Sequence, residues 1–196
     1  MPSSRTRDIA LEVAFAGFVA ALGLVPAFAL FGFPVPVTLQ TLGVMITGAI
    51  LGGRRAFVSL VIFLALVALG LPLLAGGRGG LAVFAGPSAG FLLAFPVGAY
   101  VIGALVYRLG APFRTMPGFV AMVIGGIVVV YAMGIPVLAW RAGLSLGTAA
   151  SGSMVFLIGD LAKAAVATVV VAAVHRGYPG LLPSRAVERQ RFAAPV

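Results

Sequence analysis

The chain has 196 residues, of which 62% are hydrophobic and only 9% charged, with a formal net charge of +9. Ordinary soluble domains are roughly a quarter charged, so a water-soluble fold is excluded. The positive charge does not point to nucleic acid either, because the arginines are dispersed in singles and pairs between apolar segments.

Charge-free runs cover residues 13–53, 56–77, 79–107, 115–140 and 142–159. Runs above about 18 residues are long enough to cross a bilayer. The expected fold is an all-α integral membrane protein with six transmembrane helices, at residues 9–30, 37–52, 56–74, 90–107, 118–139 and 153–174. Residues 1–176 form the membrane domain and 177–196 a cytoplasmic tail.

The first span follows Arg5 and Arg7 without a clear small-residue cleavage site, so it is expected to be a retained helix rather than a signal peptide. It carries small residues four apart, Ala10/Ala14, Ala16/Ala20 and Gly17/Ala21. Such a stripe lets another helix approach closely, either within the bundle or on a partner. The second span is entered through Phe33-Pro34-Val35-Pro36, which prolines hold extended. Thr38, Gln40 and Thr41 follow. These neutral donors and acceptors suit an uncharged polar ligand group, or equally the open N–H groups at the start of the helix.

After the third span, residues 75–90 contain six glycines in sixteen positions, with Arg78 among them. Glycine allows close backbone approach to a ligand, so this outer loop reads as a lid with an anion-attracting arginine, or as a plain linker. Tyr107 and Trp140 fall at span ends, where interfacial aromatics are common. The sixth span holds Phe156-Leu157-Ile158-Gly159-Asp160-Leu161-Ala162-Lys163. A charge at membrane depth costs on the order of 3 kcal/mol and asks for a partner or a function. Spacing of three puts Asp160 and Lys163 on one helix face in the favourable order for an ion pair. Asp160 is expected roughly 10 Å from the outer end of its helix. His175, beside Arg176, is expected at the inner membrane interface, and Glu12 is expected to be solvated or paired with Arg5 or Arg7.

With the N-terminus inside, Arg5, Arg7, Arg54, Arg55, Arg108, Arg114, Arg176, Arg185, Arg189 and Arg191 all lie inside, against Arg78 and Arg141 outside. This positive-inside bias places both termini in the cytoplasm and favours an even number of spans. The single lysine is followed by alanine, so there is no phosphate-binding G-x-x-x-x-G-K-[ST] loop. One histidine and no cysteine offer neither a metal cluster nor a catalytic triad. The chain therefore reads as a non-enzyme with no metal and no catalytic cofactor.

From about Ala10 to Val174 the chain resembles the BioY-type S components, which bind biotin within energy-coupling-factor transporters. Four motifs in register carry the resemblance: Pro34-Val35-Pro36-Val37-Thr38-Leu39-Gln40-Thr41-Leu42; Gly70-Leu71-Pro72 with the glycine loop; Gly86-Pro87-Ser88-Ala89-Gly90-Phe91; and Gly159-Asp160-Leu161-Ala162-Lys163. The chain departs from the commoner pattern at Ser88-Ala89, where Thr-Gly is usual, and at Phe91, which lacks the hydroxyl of the usual tyrosine.

The resemblance implies a multi-pass protein of the cytoplasmic membrane that captures biotin from outside and delivers it with a transmembrane coupling subunit and two ATPases. It matches Asp160 and Lys163 to the family's ligand-binding pair, and the candidate substrate contacts are these two together with Arg78, Thr38, Gln40, Phe84 and Gly86. It also implies docking of the coupling subunit on Ala10, Ala14, Ala16, Gly17 and Ala20. The residues themselves leave open another vitamin on the same scaffold, a proton-coupled transporter in which Asp160 titrates, and a homo-oligomer.

Overall fold

The computed structural model describes residues 4–25 and 38–182. Among these the architecture is all-helical, with one isolated antiparallel bridge, Leu74 to Arg78, and no strand. Helices suit such an apolar sequence because each satisfies its own backbone without water. In chain order they are α1 (Ser4–Gly23), α2 (Gln40–Leu51), α3 (Gly53–Ala68), α4 (Ala89–Leu109), α5 (Thr115–Ala142) and α6 (Leu146–Gly177). Short 3-10 turns occupy Leu81–Phe84 and Pro179–Leu181.

Helices α4, α5 and α6 are long and apolar enough to cross a membrane. With 12 residues, α2 rises only about 18 Å, less than the roughly 30 Å hydrocarbon core. The end of the first expected span, the extended Phe33–Pro36 entry and the tail from residue 183 lie outside the described residues.

Two boundaries differ from the sequence expectation for identifiable reasons. The third span, expected to reach residue 74, stops at Ala68. Gly70 turns the chain at φ 102°, and the Gly80 N–H donates to the Val67 carbonyl at 2.7 Å, closing the helix end. The sixth helix starts seven residues earlier than expected. Ser145 caps it by accepting from the Thr148 N–H at 3.1 Å, a polar start that hydropathy conceals. Asp160 therefore lies about 21 Å along α6, not roughly 10 Å.

The glycine-rich stretch after α3 is folded. Gly76 and Gly77 take left-handed φ of 79° and 68°, a turn that lets Leu74 and Arg78 exchange backbone hydrogen bonds of 3.0 and 3.2 Å. Leu74 and Ala75 are buried by it.

Helix α4 is central, packed against α2, α3 and α5. Its approach to α5 is backbone to backbone: a Cβ on Gly98 would stand 2.7 Å from the Gly125 carbonyl oxygen, and one on Gly125 2.6 Å from that of Gly98. Gly125 belongs to a π-helical turn, Ile124–Val129, in the middle of α5. Helix α6 turns Ala149, Ser153, Phe156, Asp160, Ala164, Ala167 and Val171 inward at spacings of three and four. Its outer face is also apolar, with Ile158 81% and Val169 66% exposed. A helix apolar on every side belongs in lipid or in a protein core.

Polar side chains at the span ends are less solvated than the sequence suggests. His175 is buried rather than interfacial, its Nε2 3.2 Å from the Ala49 carbonyl and its ring stacked on Phe113. Tyr107 donates to the Ile50 carbonyl at 3.0 Å. On α1 the ion-paired acid is Asp8, 3.0 Å from Arg55. Glu12 is half-buried, and its backbone carbonyl accepts from Ser59. Arg5, Gly52, Tyr107 and Tyr178 line one groove, so both ends of the described chain meet at one end of the bundle.

Candidate ligand-binding site

One turn of α6 carries Asp160 and Lys163, whose side chains are 6% and 11% exposed, with Nζ 2.8 Å from Oδ1. Two other helices complete the group. Thr41, in the first turn of α2, donates to Asp160 Oδ1 at 3.2 Å and accepts from Lys163 Nζ at 3.1 Å. Tyr131 of α5 donates to Oδ2 at 2.7 Å. Tyr131 follows the π-turn closely, and the extra residue of such a turn shifts the helical register beyond it. Charge-assisted bonds of this kind are the strong ones, and a buried charge is tolerated only when it is paired and hydrogen-bonded.

The cluster heads a cavity of about 70 Å³. Phe91, Leu92 and Phe95 of α4, Val130 of α5 and Phe156 of α6 provide apolar walls, and Leu74 and Arg78 come from the loop after α3. Phe91 meets Tyr131 edge to face, with ring centroids 6.1 Å apart. Three of the four Asp160 lone-pair positions are occupied by protein donors and two of the three Lys163 N–H groups have protein acceptors. An acceptor and a donor are thus left side by side, facing an aromatic-walled space. That pairing matches a ligand group in which N–H and C=O are adjacent.

Of the residues proposed from sequence, Asp160, Lys163, Arg78, Thr38 and Gln40 line this cavity, while Phe84 and Gly86 do not. Phe84 packs half-buried against the core, and the Gly86 carbonyl accepts from Ala89 at the start of α4. The polar trio of α2 divides its work. Thr38 accepts from the Gln40 N–H at 3.3 Å, Gln40 donates to the Leu73 carbonyl at 3.1 Å and so ties down the loop, and Thr41 joins the acid–lysine pair. Exposed Arg78 donates to the Ala75 carbonyl at 3.2 Å. The small residues of α1 also divide: Ala10, Ala14 and Gly17 are exposed, whereas Ala16 is buried and Ala20 packs inward.

Tyr131 is the polar group on the Asp160 carboxylate that sequence reasoning missed, and the wall residues Leu92, Phe95 and Val130 were missed as well. The signal for Tyr131 was a phenol in the middle of an apolar span, which must find a hydrogen-bond partner there.

Fold and site together define a helical protein, with helices fit to cross a membrane, in which a buried polar cluster heads an aromatic-walled cavity. Comparison with known proteins narrows that class. Residues 1–180 match the family described as the BioY family. A biotin transporter BioY of Rhizobium etli is 51% identical over 186 residues, covering 92% of this chain and 99% of that protein. That of Rhodobacter capsulatus is 42% identical, covering 91% and 98%. A crystal structure of the S-component for biotin from an ECF-type ABC transporter superposes with a TM-score of 0.85 at 29% identity, over 90% of this chain and 95% of that one. The chain belongs to the BioY family.

Proposed function

We propose that the chain captures biotin at the outer side of the cytoplasmic membrane, as the substrate-binding S component of an energy-coupling-factor transporter. A transmembrane coupling subunit and ATPases supply the energy. Family membership supports this reading, and the observation that carries it is the buried Asp160–Lys163 pair at the head of an aromatic cavity. Asp160 accepts from a ureido N–H of biotin and Lys163 donates to the ureido oxygen. Phe91, Phe95 and Phe156 contact the bicyclic ring, and Arg78 at the mouth meets the valerate carboxylate.

The described cavity, about 70 Å³, is well below the roughly 300–1,000 Å³ of ligand pockets, so biotin enters after the walls open. On this reading the wall that opens is the loop after α3, and the Gln40–Leu73 hydrogen bond that ties it to α2 breaks as it does so.

Six spans with both termini in the cytoplasm complete the reading. The groove shared by the start of α1, the α2–α3 junction and the ends of α4 and α6 supports an even count. The exposed Ala10, Ala14 and Gly17 face of α1 is the docking stripe for the coupling subunit.

Equilibrium binding of labelled biotin to the purified, detergent-solubilised chain tests the assignment. Saturable binding displaced by unlabelled biotin is expected, and Asp160→Asn and Lys163→Ala each weaken it tenfold or more, about 1.4 kcal/mol. A folded wild type that binds no biotin overturns the ligand. Affinity untouched by both substitutions reduces the pair to a packing salt bridge.

A further inference from the structure

The end of the bundle away from the cavity gathers cations. Arg5 and Arg7 from the start of α1 and Arg54 and Arg55 from the first turn of α3 line one open groove of about 1,100 Å³. Its acids are Asp8 and Glu12. Asp8 is engaged by Arg55, and among the described residues neither Arg5, Arg7 nor Arg54 has an ion pair. Four guanidinium groups against two carboxylates leave the groove at +2. The N-cap of α3 is Gly52, with no side chain to accept from the first N–H groups, and the positive end of that helix adds to the field.

The groove also has an apolar flank. Ile9 lines it and is 52% exposed, and Val13, one turn further along α1, is 53% exposed. Tyr178, 70% exposed at the rim, has the amphipathic ring that favours a membrane–water interface.

We propose that this groove binds the phosphate headgroup of an anionic phospholipid. Arg5, Arg7 and Arg54 hold the phosphate oxygens, for which the planar guanidinium fork is matched. An acyl chain runs along Ile9 and Val13. The apolar flank selects a lipid over free phosphate, because it gives a hydrocarbon chain a surface leading directly from the charged site. The site rests on the membrane placement proposed above but is independent of the ligand in the cavity.

The test is native mass spectrometry of the full chain in neutral detergent, titrated with phosphatidylglycerol or phosphatidylcholine of matched acyl chains. Wild type is expected to retain phosphatidylglycerol at least tenfold better. Arg5→Gln/Arg54→Gln loses most of that preference, at about fivefold per arginine. Arg5→Lys/Arg54→Lys keeps most of it, which separates lost charge from lost fold, and Arg141→Gln at the opposite end leaves it unchanged. Millimolar inorganic phosphate does not displace the lipid. Equal retention of both lipids overturns the site while sparing the membrane placement, and leaves the groove to an acidic protein segment. An undiminished preference in Arg5→Gln/Arg54→Gln, or displacement by inorganic phosphate, overturns it as well. A chain that dissolves without detergent and holds neither lipid overturns the membrane placement too.

Discussion

Lys163 at the cavity and Arg54 at the opposite end of the bundle carry the same charge in different surroundings. Lys163 is held by Asp160 and Thr41 at 2.8 and 3.1 Å with its side chain 11% exposed, inside a cavity of about 70 Å³. Arg54 is exposed in a groove of about 1,100 Å³, without an ion pair among the described residues. The difference follows from dielectric surroundings. At membrane depth a cation must bring its counter-ion in the same fold, since unpaired burial costs several kcal/mol. At the bundle end the groove is open to its surroundings, and the protein can leave Arg54 without an ion pair among the described residues.

The largest effect is expected where the contrast is sharpest. Asp160→Ala strands the Lys163 cation and is expected to destabilise the chain by about 3–5 kcal/mol, read from chemical unfolding in detergent. Asp160→Ala/Lys163→Met removes both charges and should recover most of that loss. A single substitution costing under about 1 kcal/mol would mean that Lys163 finds water easily and that the two ends do not differ.

A second contrast lies between the tight and loose sides of the helices around the site. Gly125→Val drives side-chain atoms into Ile102 and the Gly98 carbonyl, and overpacking of this kind costs about 1–3 kcal/mol. Because the π-turn also sets the register of Tyr131, ligand binding is expected to fall together with stability. On α6, a Cβ at Gly159 meets nothing within 4 Å. Gly159→Ala, one residue from Asp160, should therefore be neutral or stabilising by up to about 1 kcal/mol. Equal losses at both positions would show that backbone contact between α4 and α5 is not what positions the site.

These effects also explain what the sequence made legible. Asp160 and Lys163 stood out because a charge inside an apolar run is rare, and their spacing fixed a common face. Tyr131 did not, since its ring counts as apolar and the register shift that aims its hydroxyl comes from a π-turn, which no hydropathy pattern encodes. Helix ends were misplaced where composition and geometry disagree. Leu69, Leu71, Leu73 and Leu74 continue the apolar run after α3 has ended at Ala68, while the Ser145–Gly152 stretch looks polar although α6 has already begun at Leu146. The division of the α1 stripe was invisible too, because spacing of four is shared by Ala10/Ala14 and Ala16/Ala20 and only the neighbours decide which pair turns inward.

The smallest stability effect is expected at the open end, and it sharpens the comparison from the other side. The Asp8–Arg55 pair has side chains 35% and 45% exposed, and exposed pairs contribute about 0–1 kcal/mol after solvent screening. Asp8→Asn should therefore shift unfolding by less than about 1 kcal/mol. It also takes the groove from +2 to +3 and frees Arg55, so phosphatidylglycerol retention should rise about fivefold. Stability falling by several kcal/mol would make the pair a structural lock like the one at the cavity. A drop in lipid retention would mean that Asp8 shapes the groove by holding Arg55 in place, rather than competing with the headgroup for it.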